Sequence, residues 1–212
     1  MILRRVPYLL LVAVLCSDAA QGQNAQAVFE RFVGTYESVQ RLRADFTYTV
    51  SSEILGEVQA ISGFVVAERD RYRIDTGSEL LVVNPEGTSV FRRSEAQVLL
   101  SNSDEAPGAI VPGMFLIDFD EMFEPTGMET TSVGGVRHHA LALRSIRRDV
   151  PFVDVTVWVR QSDGIVTRLL AVDKNETHTD ISLLCVEIDP PVAPNTFVFT
   201  PPLGVEIIDL RS

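Results

Sequence analysis

Two cysteines in 212 residues leave almost nothing from which to build a disulfide framework. Cys16 lies in the apolar N-terminal stretch, and once that stretch is removed Cys185 stands alone, so no internal disulfide can form. Cys185 sits in the apolar run Ile181 to Val186 and is expected to be a buried, inert thiol. Histidine is scarce as well, at three. His138 and His139 are adjacent, so on a strand they point to opposite faces and cannot share a metal there. His178 lies beyond the turn Asp173-Lys174-Asn175-Glu176. No metal or other cofactor is expected. The sequence has no Gly-x-Ser-x-Gly elbow, no P-loop, no Gly-x-Gly-x-x-Gly and no His-Glu-x-x-His. Acidic pairs such as Asp118 with Asp120, or Glu124 with Glu129, are what chance supplies in a chain this acidic. With no nucleophile or acid–base constellation, no enzyme is expected.

Positive charge is in deficit. The formal net charge is −11, which excludes the basic footprint that displaces counterions from nucleic-acid phosphate. It equally disfavours docking on an anionic membrane surface. Hydrophobic residues at 46% and charged residues at 22% give an ordinary globular balance rather than a disordered one. A chain of this length can bury a sizeable core unaided, and no internal boundary divides it.

No apolar run reaches the ~20 residues that a membrane-spanning helix needs. The one that comes nearest, Val6 to Leu15, follows Arg4 and Arg5 and precedes Ala20-Gln21-Gly22. That is the anatomy of a secretory signal peptide over 1–22, with Asp18-Ala19-Ala20 as an alternative cleavage site. A competing reading makes Cys16 the lipidated residue of a lipoprotein signal, although Leu15 stands where Gly, Ala or Ser normally precedes such a cysteine. The expectation is one exported, soluble domain over 23–212.

What is present is one helical pattern followed by many strands. Val28, Phe29, Phe32, Val33, Tyr36, Val39 and Leu42 recur at spacings of three and four, which predicts an amphipathic helix over 25–42. Gly34 inside it costs about 1 kcal/mol relative to Ala. The period then changes to two. Phe46, Tyr48 and Val50 alternate with threonines, and strands follow over 58–66, 80–83, 88–92, 97–100, 128–133, 136–146, 153–160, 165–172 and 177–188. Asn84-Pro85-Glu86-Gly87, Gly134-Gly135 and Ser162-Asp163-Gly164 supply the turns. On the strand beginning at Phe152, Val153, Val155, Val157 and Val159 line one face. Short strands at regular spacing predict a mainly β, α+β fold built on one antiparallel sheet or barrel.

The interruption from Ser101 to Gly127 is long for a strand connection in a compact domain. Phe115, Phe119 and Met122 or Phe123 fit one helical face within it. Such a segment is either a core helix that plugs an open sheet or a lid over an apolar cavity, and the two are compatible.

The terminal run from Phe197-Val198-Phe199-Thr200-Pro201-Pro202 to Ile207-Ile208-Asp209-Leu210-Arg211 resembles the C-terminal signature of the bacterial outer-membrane lipoprotein carrier family, LolA. The rest agrees in order: a first helix, Leu42-Arg43-Ala44-Asp45-Phe46-Thr47-Tyr48, Ser62-Gly63-Phe64, the basic Arg69-Asp70-Arg71-Tyr72-Arg73-Ile74, and Leu81 to Phe91. The resemblance extends from about Ala25 to Arg211.

That resemblance implies a half-open antiparallel β-barrel with an N-terminal helix and a helical lid. It implies a monomeric periplasmic carrier that hydrolyses nothing. Such a carrier takes acylated lipoproteins from an ATP-driven releasing complex in the inner membrane and hands them to an outer-membrane lipoprotein receptor. Phe46, Tyr48, Phe64, Phe91, Phe115, Phe119 and Phe123 are then expected to line the lipid-binding hollow. Arg69 best matches the family's lid latch, with Arg71 and Arg73 close enough to replace it; surface pairing with Glu68 and Asp75 is the alternative role for this basic stretch. Competing functional readings are a lipid-anchored LolB-like receptor, a secreted hydrolase, and an integral outer-membrane barrel.

Overall fold

The computed structural model describes residues 17–52, 57–68, 70–102, 119–148 and 150–211, with side chains from 24 and, in the second stretch, from 60. Helix α1, Ser17–Ser38, precedes strands β1, Leu42–Ser52, β2, Glu57–Glu68, β3, Arg71–Asp75, β4, Glu79–Asn84, β5, Gly87–Arg92, and β6, Gln97–Ser101. The single-turn helix α2, Phe119–Met122, leads directly into β7, Phe123–Val133, followed by β8, Val136–Ser145, β9, Phe152–Arg160, β10, Val166–Asp173, β11, Thr177–Ile188, and β12, Glu206–Asp209. All twelve strands form one sheet in the order β12-β6-β5-β4-β3-β2-β1-β11-β10-β9-β8-β7. The sheet is not closed: β12 and β7 are its edges. This is the mainly β sheet that the alternating pattern predicts, left half-open as the LolA resemblance implies.

Each element follows from its residues. In α1, Ala25, Phe29, Phe32 and Tyr36 are buried at intervals of three and four. In β1, Leu42, Ala44 and Phe46 are buried while Arg43 and Asp45 are exposed, a period of two. The β7–β8 hairpin closes through Gly134 and Gly135, at φ 58° and 80°, the positive-φ pair that a two-residue turn of this hand requires.

Four expectations are corrected. The helix ends at Ser38, not Leu42. Val39 donates its N–H back to the Tyr36 carbonyl, and Leu42 opens β1, where it is buried by strand alternation instead. Phe123 is not helical: it is the first residue of β7, opposite Ser145. On β9 the valine face is broken at its start. A bulge between the pairs Val172↔Asp154 and Asp173↔Phe152 pushes Val153 outward and packs Phe152 against the core. Cys185 is exposed, not buried. Opposite Ala44 the register slips, so two β11 residues face one on β1. Cys185 takes the left-handed position of that bulge, at φ 50°, and Val186 returns to the core side.

The C-terminal segment carries a strand that the alternation did not reveal. β12 runs parallel to β6, from Glu206↔Gln97 to Asp209↔Leu100, an exception to the antiparallel order.

Candidate functional site

The concave face of the sheet is the place to look for chemistry. Cross-strand register carries it from Met128 on β7 through Leu141, Val157, Leu169, Ile181 and Tyr48, all apolar and on one face. α1 lies across the β7 end of that face. Its rings and those flanking α2 form a continuous aromatic cluster. Phe32 meets Tyr36 at 5.2 Å and Phe119 at 5.3 Å, both edge-to-face, and Phe119 meets Phe123 at 4.9 Å between centroids. Edge-to-face contacts add to the burial energy through the ring quadrupoles.

Of the expected lining residues, Phe46, Phe119 and Phe123 are buried in this cluster and Tyr48 packs against it. Phe64 and Phe91 do not join it. Val65 is in the cluster, so its neighbour Phe64 points to the other face of β2. Phe91 lies across from Leu80 and packs on Phe199 of the C-terminal segment, 6.3 Å away. Phe115 and Arg69 lie outside the described residues. The α1 residues Phe29, Phe32 and Tyr36 were missed as site candidates, although their spacing marked them as one buried stripe.

Gly63 explains the close approach of β1, β2 and β3. A Cβ there would stand 2.3 Å from the Asp75 carbonyl oxygen and 3.0 Å from the Phe46 ring. Only glycine lets Phe46 lie flat over the sheet at this point.

The polar groups in the cluster are few and quenched. The Tyr36 hydroxyl accepts a hydrogen bond from the Val166 N–H at 3.1 Å. Burial pushes its pKa up to about 12. Burial also raises Tyr48, against a hydrogen bond to Thr179, and raises Tyr72. These phenols stay neutral at ordinary pH. His138, outside this cluster and across from Arg160, is buried with both ring nitrogens engaged, Nδ1 with the Val136 carbonyl and Nε2 with the Thr167 hydroxyl, each at 2.9 Å. Among the described residues no three His, Cys, Asp or Glu side chains converge as metal ligands would. The face is suited to holding apolar matter rather than to moving protons.

Beside it, Arg71 pairs with Glu68 at 3.0 Å and stacks 5.0 Å from the centre of Phe197. Asp75 is taken by Arg93 at 2.8 Å. Asn84 donates to the Phe197 carbonyl at 2.9 Å. Arg71 therefore fastens the C-terminal segment to the outer face of the sheet.

No family model matches the sequence, and no curated protein matches it. Among solved structures, a conserved protein from Thermus thermophilus of uncharacterised role superposes with a TM-score of 0.56 at 12% identity, over 88% of this chain and 99% of that one. The two share a fold. Similar structures also include a LolA superfamily protein from Nitrosomonas europaea, at 13% identity and a TM-score of 0.46, over 82% of this chain and 97% of that one. A domain of a lipoprotein-sorting protein from Vibrio parahaemolyticus follows, at 8% identity and 0.45, over 84% and 97%. These likenesses concern the fold alone.

Proposed function

We propose that the protein is a periplasmic carrier of acylated lipoproteins, made with a signal peptide over 1–22 and acting as the single domain 23–212. The observation that carries this reading is the concave apolar face, covered among the described residues by one amphipathic helix and the aromatics Phe119 and Phe123 rather than by a second sheet. Acyl chains gain about 0.8 kcal/mol for each buried CH₂. A surface of Phe, Val and Leu side chains gives that energy without selecting one chain over another. The quenched tyrosines support a binding role over a hydrolytic one. Among the described residues β7 and β12 leave the sheet open at both edges, which argues against a membrane-spanning barrel, a form that must close to satisfy its backbone in lipid.

On this reading cargo arrives from an ATP-driven releasing complex of the inner membrane and leaves to an outer-membrane receptor. Arg69 acts as the latch that favours the empty, closed state, since a guanidinium offers charge-assisted donors to backbone carbonyls. The deciding experiment loads purified protein with a triacylated lipoprotein and follows transfer to membranes. A soluble one-to-one complex, recovered also from osmotic-shock fluid, is expected. Arg69→Leu should load normally and transfer poorly. Failure to hold the acylated protein in solution overturns the carrier reading; normal transfer by Arg69→Leu at unchanged stability overturns only the latch.

A further inference from the structure

Gly34 stands about one turn before the end of α1, where it weakens the helix, and no strain or close contact accounts for it. A Cβ built there meets nothing within 4 Å. Gly34 is one of the residues lining a groove of about 370 Å³ between α1 and the start of β7. Phe29, Val33, Phe123 and Pro125 make its floor. Its rim is acidic: Glu30 and Glu37 from α1, Asp120 from α2 and Glu124 from β7, all exposed.

Several acids elsewhere on the molecule, Glu68, Asp75, Glu79, Asp163, Asp180 and Asp209, are neutralised by a neighbouring arginine. Among the described residues no cation pairs with any of the four rim carboxylates; Glu30 accepts only a hydrogen bond from Gln26. Glu37 also lies in the last turn of α1, which contains no basic residue. Carboxylates there oppose the negative end of the helix dipole. An apolar-floored groove, held open by a missing side chain and ringed by unpaired acids, has the complement of a basic peptide with apolar anchors.

We propose that this groove docks a cationic amphipathic segment of a partner protein, with an apolar side chain entering the space over Gly34 and Lys or Arg side chains reaching Glu30, Glu37, Asp120 and Glu124. The groove borders the face assigned to acyl binding and shares Phe123 with it, but docking does not require acyl chains to be bound.

The test uses a fluorescent synthetic peptide of alternating lysine and leucine, read by anisotropy near physiological salt, with a glutamate–leucine peptide as its counterpart. The lysine peptide should bind and the glutamate peptide should not. Gly34→Leu fills the groove without changing charge, and should weaken binding at least tenfold while the protein keeps its melting temperature. Glu30→Gln/Glu37→Gln should weaken binding severalfold and flatten its salt dependence. Glu86→Gln/Glu187→Gln removes the same charge from exposed sites outside the groove and should change nothing. The proposal is overturned if folded Gly34→Leu binds like the parent, or if the distant pair of substitutions weakens binding as much as the rim pair. If Gly34→Leu fails to fold, the comparison of the two glutamine pairs decides alone. Acyl loading, measured in parallel, reports on the carrier reading independently.

Discussion

Tyr36 shows how much one buried hydroxyl does. Its ring belongs to the aromatic cluster, and its oxygen satisfies the Val166 N–H at the far side of the core. Tyr36→Phe keeps the ring but leaves that buried donor unpaired, which should cost about 1–3 kcal/mol in urea unfolding. The same residue sets an alkaline limit. The phenol pKa is about 12 in the folded state against an ordinary value of 10.0. The folded state therefore holds the proton more tightly, so its stabilisation is complete below pH 10 and is lost as pH rises toward 12. The loss amounts to roughly 2–3 kcal/mol. Unfolding curves between pH 9 and 12 should show that fall in the parent and a shallower one in Tyr36→Phe. At Gly63 the prediction is steric. Because a methyl group would press into the Asp75 carbonyl, Gly63→Ala should lower the melting temperature by more than 10 °C or prevent folding. An unchanged melting temperature would mean that β2 and β3 can separate at no cost.

At the scale of elements, strands declared themselves where one face was buried. β1 alternates from Leu42 to Phe46 and β9 from Val155 to Val159, and the hairpin glycines marked their turns. What alternation could not show were the bulges. Val153 was placed on one face with Val155, and Cys185 was expected buried in its apolar run, because neither bulge leaves a mark in the sequence. β12 was hidden for a different reason. Its residues are mostly exposed, so no buried face imprints a pattern, and only its pairing to β6 makes it a strand. Phe64 and Phe91 were grouped with Phe46 and Tyr48 because aromatics cluster in these strands; which side of the sheet each takes depended on register. The C-terminal segment gives a prediction of its own. Arg71 stacks on Phe197, and Phe91 packs on Phe199. Arg71→Ala should loosen this strap, and limited proteolysis should then cut within 190–205 faster while the sheet stays intact.

For the molecule as a whole, β1 is the seam. It pairs β2, its neighbour in sequence, on one side and β11, near the end of the chain, on the other, joining Leu42 to Ile188 and Ser52 to Thr177. Amides in the middle of β1 and β11 should be the slowest to exchange with deuterium, and those at the edges β7 and β12 the fastest among the strands. A uniform exchange profile would contradict this arrangement. The seam has a consequence for the newly made chain. Half of the partners of β1 do not exist until β11 has been synthesised, and the edge of β6 stays bare until the final residues arrive. Pairings so distant in sequence form slowly. The polypeptide therefore remains loose for most of its synthesis and gains its finished shape only once β11 and β12 have been made.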